Sequence, residues 1–236
     1  MTTKNKSGFV IGISSVSGGG KTAVAKKLTE LLQDAVMLCF DDYHETTVHP
    51  EDLQAWFTSG ADYNVWKTPG LTSDLLSLTT GNSITSPVDG SNIPAAKYIV
   101  FDAPLGRAHS DTGKFIDFMV FIDTPLDIAM ARRLLRDIAS DTEQGAENSV
   151  ECLNGHLSSY LNGGRLLFLA LENQIKGNCE IVLDGRLMVD DLAETICLRL
   201  QQSPTRFAGK NEPGSSIYYR TAEIDFYAGK IGRTRP

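Results

Sequence analysis

Residues 11–22, IGISSVSGGGKT, run from an apolar stretch into three consecutive glycines and then a Lys-Thr pair. The pattern G-x-x-x-x-G-K-[ST] is typical of a phosphate-binding loop, and Gly20, Lys21 and Thr22 match its end. Ser15 stands where the pattern has its first glycine. If that position requires a positive φ, a serine costs about 1–2 kcal/mol there, and the loop is expected to sit slightly differently.

The residues on either side of the loop predict a strand before it and a helix after it. Residues 8–13 (GFVIGI) form a short apolar run suited to a buried parallel strand. After the loop, apolar side chains recur at helical spacing, at Val24, Leu28, Leu31 and Leu32. A helix N-terminus offers free N–H groups and a positive dipole end to a phosphate. The alternative is a flexible glycine turn beside an exposed lysine.

The loop residues have distinct expected roles. Lys21 would reach the outer phosphates of a nucleotide, and the Thr22 hydroxyl would hold Mg²⁺. The backbone N–H groups expected to surround the phosphates belong to Ser17, Gly18, Gly19 and Gly20.

Composition bounds the class of protein. The 236 residues, 42% hydrophobic and 22% charged, suit one globular domain plus a tail. A net charge of −7 argues against a general affinity for nucleic acid, whereas small phosphorylated ligands stay open. The sequence also leaves a homo-oligomer open.

The cysteines and the first residues predict a cytoplasmic protein. The four cysteines are far apart and form no C-x-x-C pair, so they suggest neither a zinc site nor a disulfide framework. Residues 1–7 lead into the first strand without an apolar signal core, and no run approaches membrane-spanning length. We therefore expect a reducing cytosol and no membrane contact.

Acids end two further apolar runs. Residues 35–40 (AVMLCF) lead into Asp41 and Asp42, and residues 97–102 (KYIVFD) end at Asp102. In open α/β sheets the carboxyl ends of the strands face the ligand crevice. The aspartate pair is either a strand-terminal turn or a general base with a magnesium partner, and Asp102 is either a plain strand end or a metal ligand.

Residues 49–69 are polar and rich in aromatics, and they predict a substrate-covering insertion. The aromatic side chains could stack on a base or sugar ring, or could form a small satellite core under a loop. They are Trp56, Phe57, Tyr63 and Trp66. Residues 71–78 then suggest a short helix, and residues 81–94 a hairpin or loop.

A fourth strand at residues 118–123 leads into a basic helix. Thr124 and Pro125 are predicted as its N-cap and first helical residue. Its apolar stripe comprises Leu126, Met130, Leu134 and Ile138. Its arginines, which either converge on phosphate oxygens as a lid or form a solvated basic face, are Arg132, Arg133 and Arg136. Residues 139–149 are predicted as a lid loop.

The remaining pattern completes an α/β domain. Residues 153–175 are predicted helical with a break at Gly163-Gly164, residues 180–183 form the last strand, and residues 190–200 the closing helix. Five strands alternating with helices predict a three-layer α/β fold with a mainly parallel five-stranded sheet. The expected domain covers residues 1–200, with the insertion at about 44–95 and the lid at about 132–150. Residues 201–236 form an extension that could wrap the domain or bind a partner.

Three segments resemble the uridine kinase family of P-loop kinases, which are related to nicotinamide riboside kinase, phosphoribulokinase and bacterial pantothenate kinase. They are residues 17–22 (SGGGKT), 40–43 (FDDY) and 121–138 (FIDTPLDIAMARRLLRDI). The likeness covers roughly residues 8–200 and implies a P-loop NTPase fold of the nucleoside and nucleotide kinase type. Asp102 stands where the family often has glutamate.

The resemblance implies roles for single residues. Asp41 matches the aspartate that draws the proton from the substrate hydroxyl, Lys21 and the lid arginines act in catalysis, and Thr22 and Asp102 place the metal. ATP and Mg²⁺ are the expected cofactors. The residues expected to contact the substrate are Asp42, Tyr43, Trp56, Tyr63 and Trp66.

The expected function is an ATP-dependent kinase that phosphorylates a hydroxyl of a small metabolite, first of all a nucleoside such as uridine. Sugars, glycerate, pantothenate and nicotinamide riboside are the alternative acceptors. A second alternative is a nucleotide-binding regulatory module in which ATP occupancy signals through residues 201–236.

Overall fold

A computed structural model of the chain describes residues 6–142, 147–202 and 217–219. Within these ranges, six strands form a parallel sheet in the spatial order β2-β5-β1-β6-β7-β8. The strands are β1 (Phe9–Ser14), β2 (Ala35–Cys39), β5 (Tyr98–Asp102), β6 (Phe118–Asp123), β7 (Ile181–Asp184) and β8 (Ile217–Tyr219), and an antiparallel hairpin pairs β3 (Ile84–Thr85) with β4 (Asn92–Ile93).

The helices of the described residues follow the strands along the chain. They are α1 (Lys21–Leu31), α2 (Leu53–Thr58), α3 (Pro69–Thr79), α4 (Ser110–Gly113), α5 (Leu126–Thr142), α6 (Glu147–Ser159), α7 (Arg165–Lys176) and α8 (Val189–Gln202). Short 3₁₀ turns occupy Phe40–Tyr43, Tyr63–Val65 and Gly106–Ala108, and a π turn occupies Tyr160–Gly164. None of these helices has the length and apolar character needed to cross a membrane.

Alternate residues of the sheet strands enter two separate cores. Val10, Ile99 and Phe121 pack on one side of the sheet with α3 and α7. Their chain neighbours, such as Ile11 and Val100, pack on the other side with α1 and α8. Because successive side chains of a strand point to opposite faces, apolar runs of this kind require a sheet covered on both sides. The predicted three-layer α/β fold and its five parallel strands are confirmed, and β8 adds a sixth.

The sequence pattern predicted α1, α3, α7 and α8 but not the short helices α2 and α4, and it differs from the structure beside the predicted lid loop. Residues 139–142 belong to α5 and residues 147–149 to α6, so the loop prediction is wrong for these residues. No glycine or proline occurs in residues 126–142 to end the helix earlier. The remaining residues of the predicted loop, 143–146, lie outside the described part of the chain. The predicted break at Gly163 is confirmed by its φ of 126°.

The strand order creates a crevice at the carboxyl ends of the strands. β1 lies between β5 and β6, with β2 beyond β5. After β1 the chain forms β2 and β5 on one side of β1, and it then crosses to β6 on the other side. Because the connections diverge at β1, a crevice forms at its carboxyl end. The predicted phosphate loop begins at this crevice.

Candidate active site

The phosphate loop occupies residues 15–20, between the end of β1 and the start of α1. The predicted order of strand, loop and helix is confirmed. Gly18 and Gly20 have φ values of 82° and 100°, a left-handed backbone that favours glycine. Within the loop, the Gly19 N–H donates to the Val16 carbonyl at 2.9 Å. The loop thus leads directly into a helix N-terminus, which suits an anion.

Helix α5 packs directly on this loop. A Cβ placed on Gly18 would lie 2.1 Å from the Ala129 carbonyl oxygen and 3.1 Å from the Arg133 Cβ. Only glycine therefore permits this approach. Thr124, which precedes α5, donates its hydroxyl to the Gly19 carbonyl at 2.8 Å. The sequence predicted Thr124 as an N-cap, but its hydroxyl instead ties β6 to the loop.

Asp102 ends β5 and is the most constrained acid of the site. Its Cα is in register with Ile13 of β1 and Cys39 of β2, and only 4% of the residue is exposed. The Thr22 hydroxyl donates to its Oδ2 at 2.5 Å, and the Lys21 Nζ lies 4.0 Å from its Oδ1. Burial raises the pKa of Asp102, although the Lys21 charge and the Thr22 hydrogen bond oppose this rise.

The chemistry of this corner fits a hard cation. Among the described residues, Asp102 Oδ1 is buried and has no hydrogen-bond partner. A carboxylate oxygen beside a threonine hydroxyl is the donor set that Mg²⁺ prefers. No group of three or more His, Cys, Asp or Glu side chains within the described ranges could hold a metal. A Mg²⁺ ion here would therefore take its remaining ligands from phosphates and water.

Asp41 and Asp42 lie in the 3₁₀ turn after β2, and both are exposed. Cys39 of β2 is paired with Asp102 in register. The structure therefore brings both aspartates to the same end of the sheet as the phosphate loop. Partial burial, followed by the charge of Asp41, raises the pKa of Asp42. Burial and the nearby aspartates also raise the pKa of the Cys39 thiol to about 12.

Tyr43 ends the same turn, and its side chain is buried. Its side chain is 4% exposed and belongs to the core that includes α3. Its hydroxyl donates to Asp74 Oδ2 at 2.8 Å. Burial and this carboxylate raise the pKa of the phenol. The structure thus gives Tyr43 a packing role beside the predicted site.

The aromatic side chains of the insertion form a compact cluster. Trp56 packs edge-on against Tyr63, with 5.4 Å between ring centroids, and against Trp66 at 5.9 Å. Trp56 is 7% exposed and Tyr63 is 3% exposed, and the Trp56 Nε1 donates to the Asp62 carbonyl at 2.7 Å. Of the two alternatives, the satellite core therefore describes Trp56 and Tyr63.

Two polar atoms inside this cluster have no hydrogen-bond partner among the described residues. They are the Tyr63 hydroxyl and the Trp66 Nε1, both buried. Burial raises the pKa of Tyr63 to about 12, so the hydroxyl keeps its proton and can donate it in a hydrogen bond. Both atoms are hydrogen-bond donors.

His109 is a buried residue of this region that the sequence reasoning missed. It has no exposed surface, and burial lowers its pKa. Its Nδ1 lies 2.8 Å from the Thr112 hydroxyl and its Nε2 lies 3.1 Å from the Trp66 carbonyl. The ring joins the insertion to the start of α4, 43 residues away from Trp66 in sequence, and no local pattern signals such a contact.

The three predicted lid arginines start from one helix but have different partners. Arg132 donates from Nη1 to the Gly185 carbonyl at 3.1 Å. The Nε of Arg133 lies 3.6 Å from Asp137 Oδ2, and the Nε of Arg136 lies 3.1 Å from Asp137 Oδ1. Asp137 also lies 3.1 Å from His156 Nδ1 on α6. Asp137 thus holds two of the arginines to α5 in this structure.

Comparison with known proteins gives relatives but no matching family model. The chain is 28% identical over 156 residues to "Uridine-cytidine kinase-like 1" of Mus musculus, a match covering 58% of this chain and 28% of the mouse protein. It is 25% identical over 216 residues to "Uridine kinase" of Enterobacter sp. (strain 638), covering 83% of this chain and 98% of the relative. Among solved structures, shikimate kinase from Acinetobacter baumannii matches with a TM-score of 0.40 and 18% identity, covering 85% of this chain and 96% of that one.

Proposed function

We propose that this chain is an ATP-dependent kinase of a small-molecule alcohol. The mouse and Enterobacter relatives, whose names are those of uridine kinases, confirm its relationship to the uridine kinases. The chain would transfer the γ-phosphoryl group of ATP to a hydroxyl, and a nucleoside such as uridine is the first candidate acceptor. A sugar, glycerate, pantothenate or nicotinamide riboside is the alternative. The kinase domain is assigned to residues 1–200.

One arrangement carries this proposal. The phosphate loop, the Asp102 carboxylate and the Asp41-Asp42 pair lie at the carboxyl ends of β1, β5 and β2, which are neighbours in the sheet. Parallel strands lie about 4.8 Å apart, so their carboxyl ends form one continuous edge. A phosphate cradle, a cation corner and a carboxylate base are the parts that phosphoryl transfer needs in one place.

In this function the chain's own groups hold the nucleotide. Lys21 and the N–H groups of residues 17–22 bind the phosphates, and Thr22 and Asp102 would hold Mg²⁺. The ion would neutralise charge on the β- and γ-phosphates. Lys21 and Asp102 are already paired at 4.0 Å, which keeps the ammonium beside the position of the outer phosphates.

Asp41 is assigned as the general base. Its carboxylate accepts the proton of the acceptor hydroxyl while the acceptor oxygen bonds to the γ-phosphorus. The bond from that phosphorus to the β–γ bridging oxygen breaks, and ADP leaves with the electron pair. Asp41 is exposed at the carboxyl end of β2, where an acceptor alcohol can reach it.

The lid arginines would neutralise charge on the transferred group. Arg132 and Arg133 start beside the loop, since Arg132 Nη1 lies 4.0 Å from a Cβ placed on Gly20. Arg133 and Arg136 would exchange Asp137 for phosphate oxygens when the nucleotide binds. In the structure both share the single Asp137 carboxylate, which offsets part of their charge.

Acceptor contacts are assigned to Asp42, Tyr63 and Trp66. Asp42 lies beside the proposed base, and the other two carry the buried polar atoms that have no hydrogen-bond partner among the described residues. Trp56 and Tyr43 support these contacts through packing. The polar atoms of Tyr63 and Trp66 are both buried, so contact with an acceptor would require the insertion to expose them. Donor groups on an aromatic cluster would then suit a ring-bearing alcohol such as a riboside.

The proposal is tested by measuring ADP release with Mg²⁺ and a panel of nucleosides, riboside, pantothenate, glycerate and sugars. One acceptor should stimulate ADP release at least about tenfold over ATP alone, and Lys21→Ala should abolish this stimulation. Turnover that no acceptor stimulates, equal in wild type and Lys21→Ala, would overturn the assignment.

A regulatory module is the second candidate, and β8 favours it. This strand comes from the extension at residues 201–236 and pairs with β7, whose end at Asp184 precedes the Gly185 that Arg132 contacts. The extension is therefore joined to the edge of the sheet next to a lid arginine. Such a contact could report nucleotide occupancy to a partner.

A further inference from the structure

Ser15 is the position at which the loop departs from the phosphate-loop pattern, and its side chain has a defined place. The residue is 1% exposed. Its Oγ is buried without a hydrogen-bond partner among the described residues. A buried hydroxyl without a partner destabilises a fold, so Ser15 gains stability wherever its surroundings offer an acceptor.

Gly19 lies directly against the Ser15 side chain. A Cβ placed on Gly19 would be 1.7 Å from the Ser15 Oγ and 2.9 Å from the Ser15 Cβ. Positions 15 and 19 therefore share one volume, and a side chain at one excludes a side chain at the other.

The Val16 carbonyl faces the same volume. Its oxygen lies 2.9 Å from the same Cβ position, and it accepts the Gly19 N–H at 2.9 Å. Gly19 is one of the residues whose N–H groups are assigned to phosphate binding. If this amide turns to a phosphate, the Val16 carbonyl loses its donor in a part of the loop where Val16 is 1% exposed.

We propose that the Ser15 hydroxyl donates to the Val16 carbonyl when bound nucleotide phosphates take the Gly19 amide. Ser15 is then a positioning residue that stabilises the loaded loop over the free loop. Its hydroxyl is unpaired without nucleotide and paired with it. This inference rests on the proposed function, because it requires a polyphosphate in the loop.

The Ser15→Ala variant tests the inference because two measurements should change in opposite directions. Without nucleotide, removal of an unpaired hydroxyl should raise the melting temperature by about 2 °C. Calorimetric titration with ATP and Mg²⁺ should show about fivefold weaker binding, the loss of one hydrogen bond. A merely structural role would lower both stability and affinity.

Ser14→Ala is the matched control. Ser14 is equally buried, but its hydroxyl donates to the Pro104 carbonyl at 3.1 Å. Loss of this bond should lower the melting temperature and leave ATP affinity within about twofold.

A double-mutant cycle tests the shared volume. Gly19→Ala should weaken ATP binding more in the wild-type chain than in the Ser15→Gly background. The contact with the Val16 carbonyl is the same in both backgrounds and cancels in the cycle. Unchanged ATP affinity in Ser15→Ala, or an additive cycle, would overturn the inference, whereas a wild-type chain that binds no ATP would overturn the proposed function itself.

Discussion

Asp102 holds Thr22 through a hydrogen bond and is also the proposed metal ligand. Its two oxygens have different surroundings, since Oδ2 accepts the Thr22 hydroxyl and Oδ1 has no hydrogen bond within the described residues. Lys21 compensates part of the buried charge from 4.0 Å. A divalent cation at Oδ1 would supply the rest, which connects the raised pKa of this acid to metal binding.

Asp41 and Asp42 are distinguished by matched substitutions. Asp41→Asn should lower kcat by about 100-fold or more, because an amide cannot accept the acceptor proton. Asp42→Asn should change mainly the KM for the acceptor. Steady-state kinetics with the best acceptor measures both.

Stability serves as the control for this pair. Both side chains are exposed, so neither variant should shift the melting temperature by more than about 2 °C. The opposite ranking, with kcat lost in Asp42→Asn and kept in Asp41→Asn, would assign the base to Asp42.

Contacts that depend on local sequence patterns could be predicted, whereas contacts between residues far apart in the sequence could not. The pairing of Thr22 with Asp102 follows from a loop motif and from an acid at a strand end. The Thr124 hydroxyl, in contrast, meets the Gly19 carbonyl across 105 residues of sequence. A threonine before a helix usually caps it, and only the strand order brings this one to the loop.

At the scale of elements, the insertion between β2 and β5 is a small core with polar atoms inside. Its aromatics pack against Leu105, Ala108, Leu167 and Leu171. Sequence composition could predict an aromatic insertion but not this packing, because the partners come from the turn after β5 and from α7.

Trp56 should behave as a packing residue. Trp56→Ala should lower the unfolding free energy by about 3 kcal/mol, since it empties a buried site and removes the bond to the Asp62 carbonyl. Trp56→Phe should cost less and leave the KM for the acceptor within about twofold. Urea unfolding and acceptor kinetics measure the two effects, and a large KM increase in the stable Phe variant would instead indicate substrate stacking.

His109 should make the protein sensitive to acid. Burial lowers its pKa below the ordinary 6.5, so the unfolded chain binds a proton that the folded chain excludes. The contribution of His109 to the free energy of unfolding is therefore fully present above about pH 6.5. It decreases as the pH falls below this value.

The His109→Gln variant isolates this effect. The unfolding free energy of wild type should drop more than that of the variant between pH 7.5 and 5.5, as measured by urea unfolding. Parallel pH profiles in the two proteins would show that His109 does not contribute.

At the scale of the whole molecule, one sheet with a core on each face positions the phosphate loop, Asp102 and the Asp41-Asp42 pair. The continuous apolar runs of five buried strands could be read from the sequence. β8 could not, because residues 201–236 show no apolar period, and its three residues pair with β7 as the outermost strand of the sheet.

A chain that ends at Gln202 separates the kinase from the regulatory module. We expect it to retain acceptor-stimulated ADP release that depends on Asp41, because β8 contacts β7 rather than β1, β2 or β5. Its melting temperature should fall, since the edge of β7 loses its partner. Complete loss of turnover with unchanged ATP binding would place part of the catalytic apparatus in the extension.

Direct observation of phosphoryl transfer tests the central claim. ³¹P NMR of the protein with ATP, Mg²⁺ and the best acceptor should show a phosphomonoester signal that grows in step with ADP. The signal should be absent with Asp41→Asn or Lys21→Ala. ADP formation accompanied only by inorganic phosphate for every acceptor, or a phosphomonoester formed equally well by Lys21→Ala, would contradict the account.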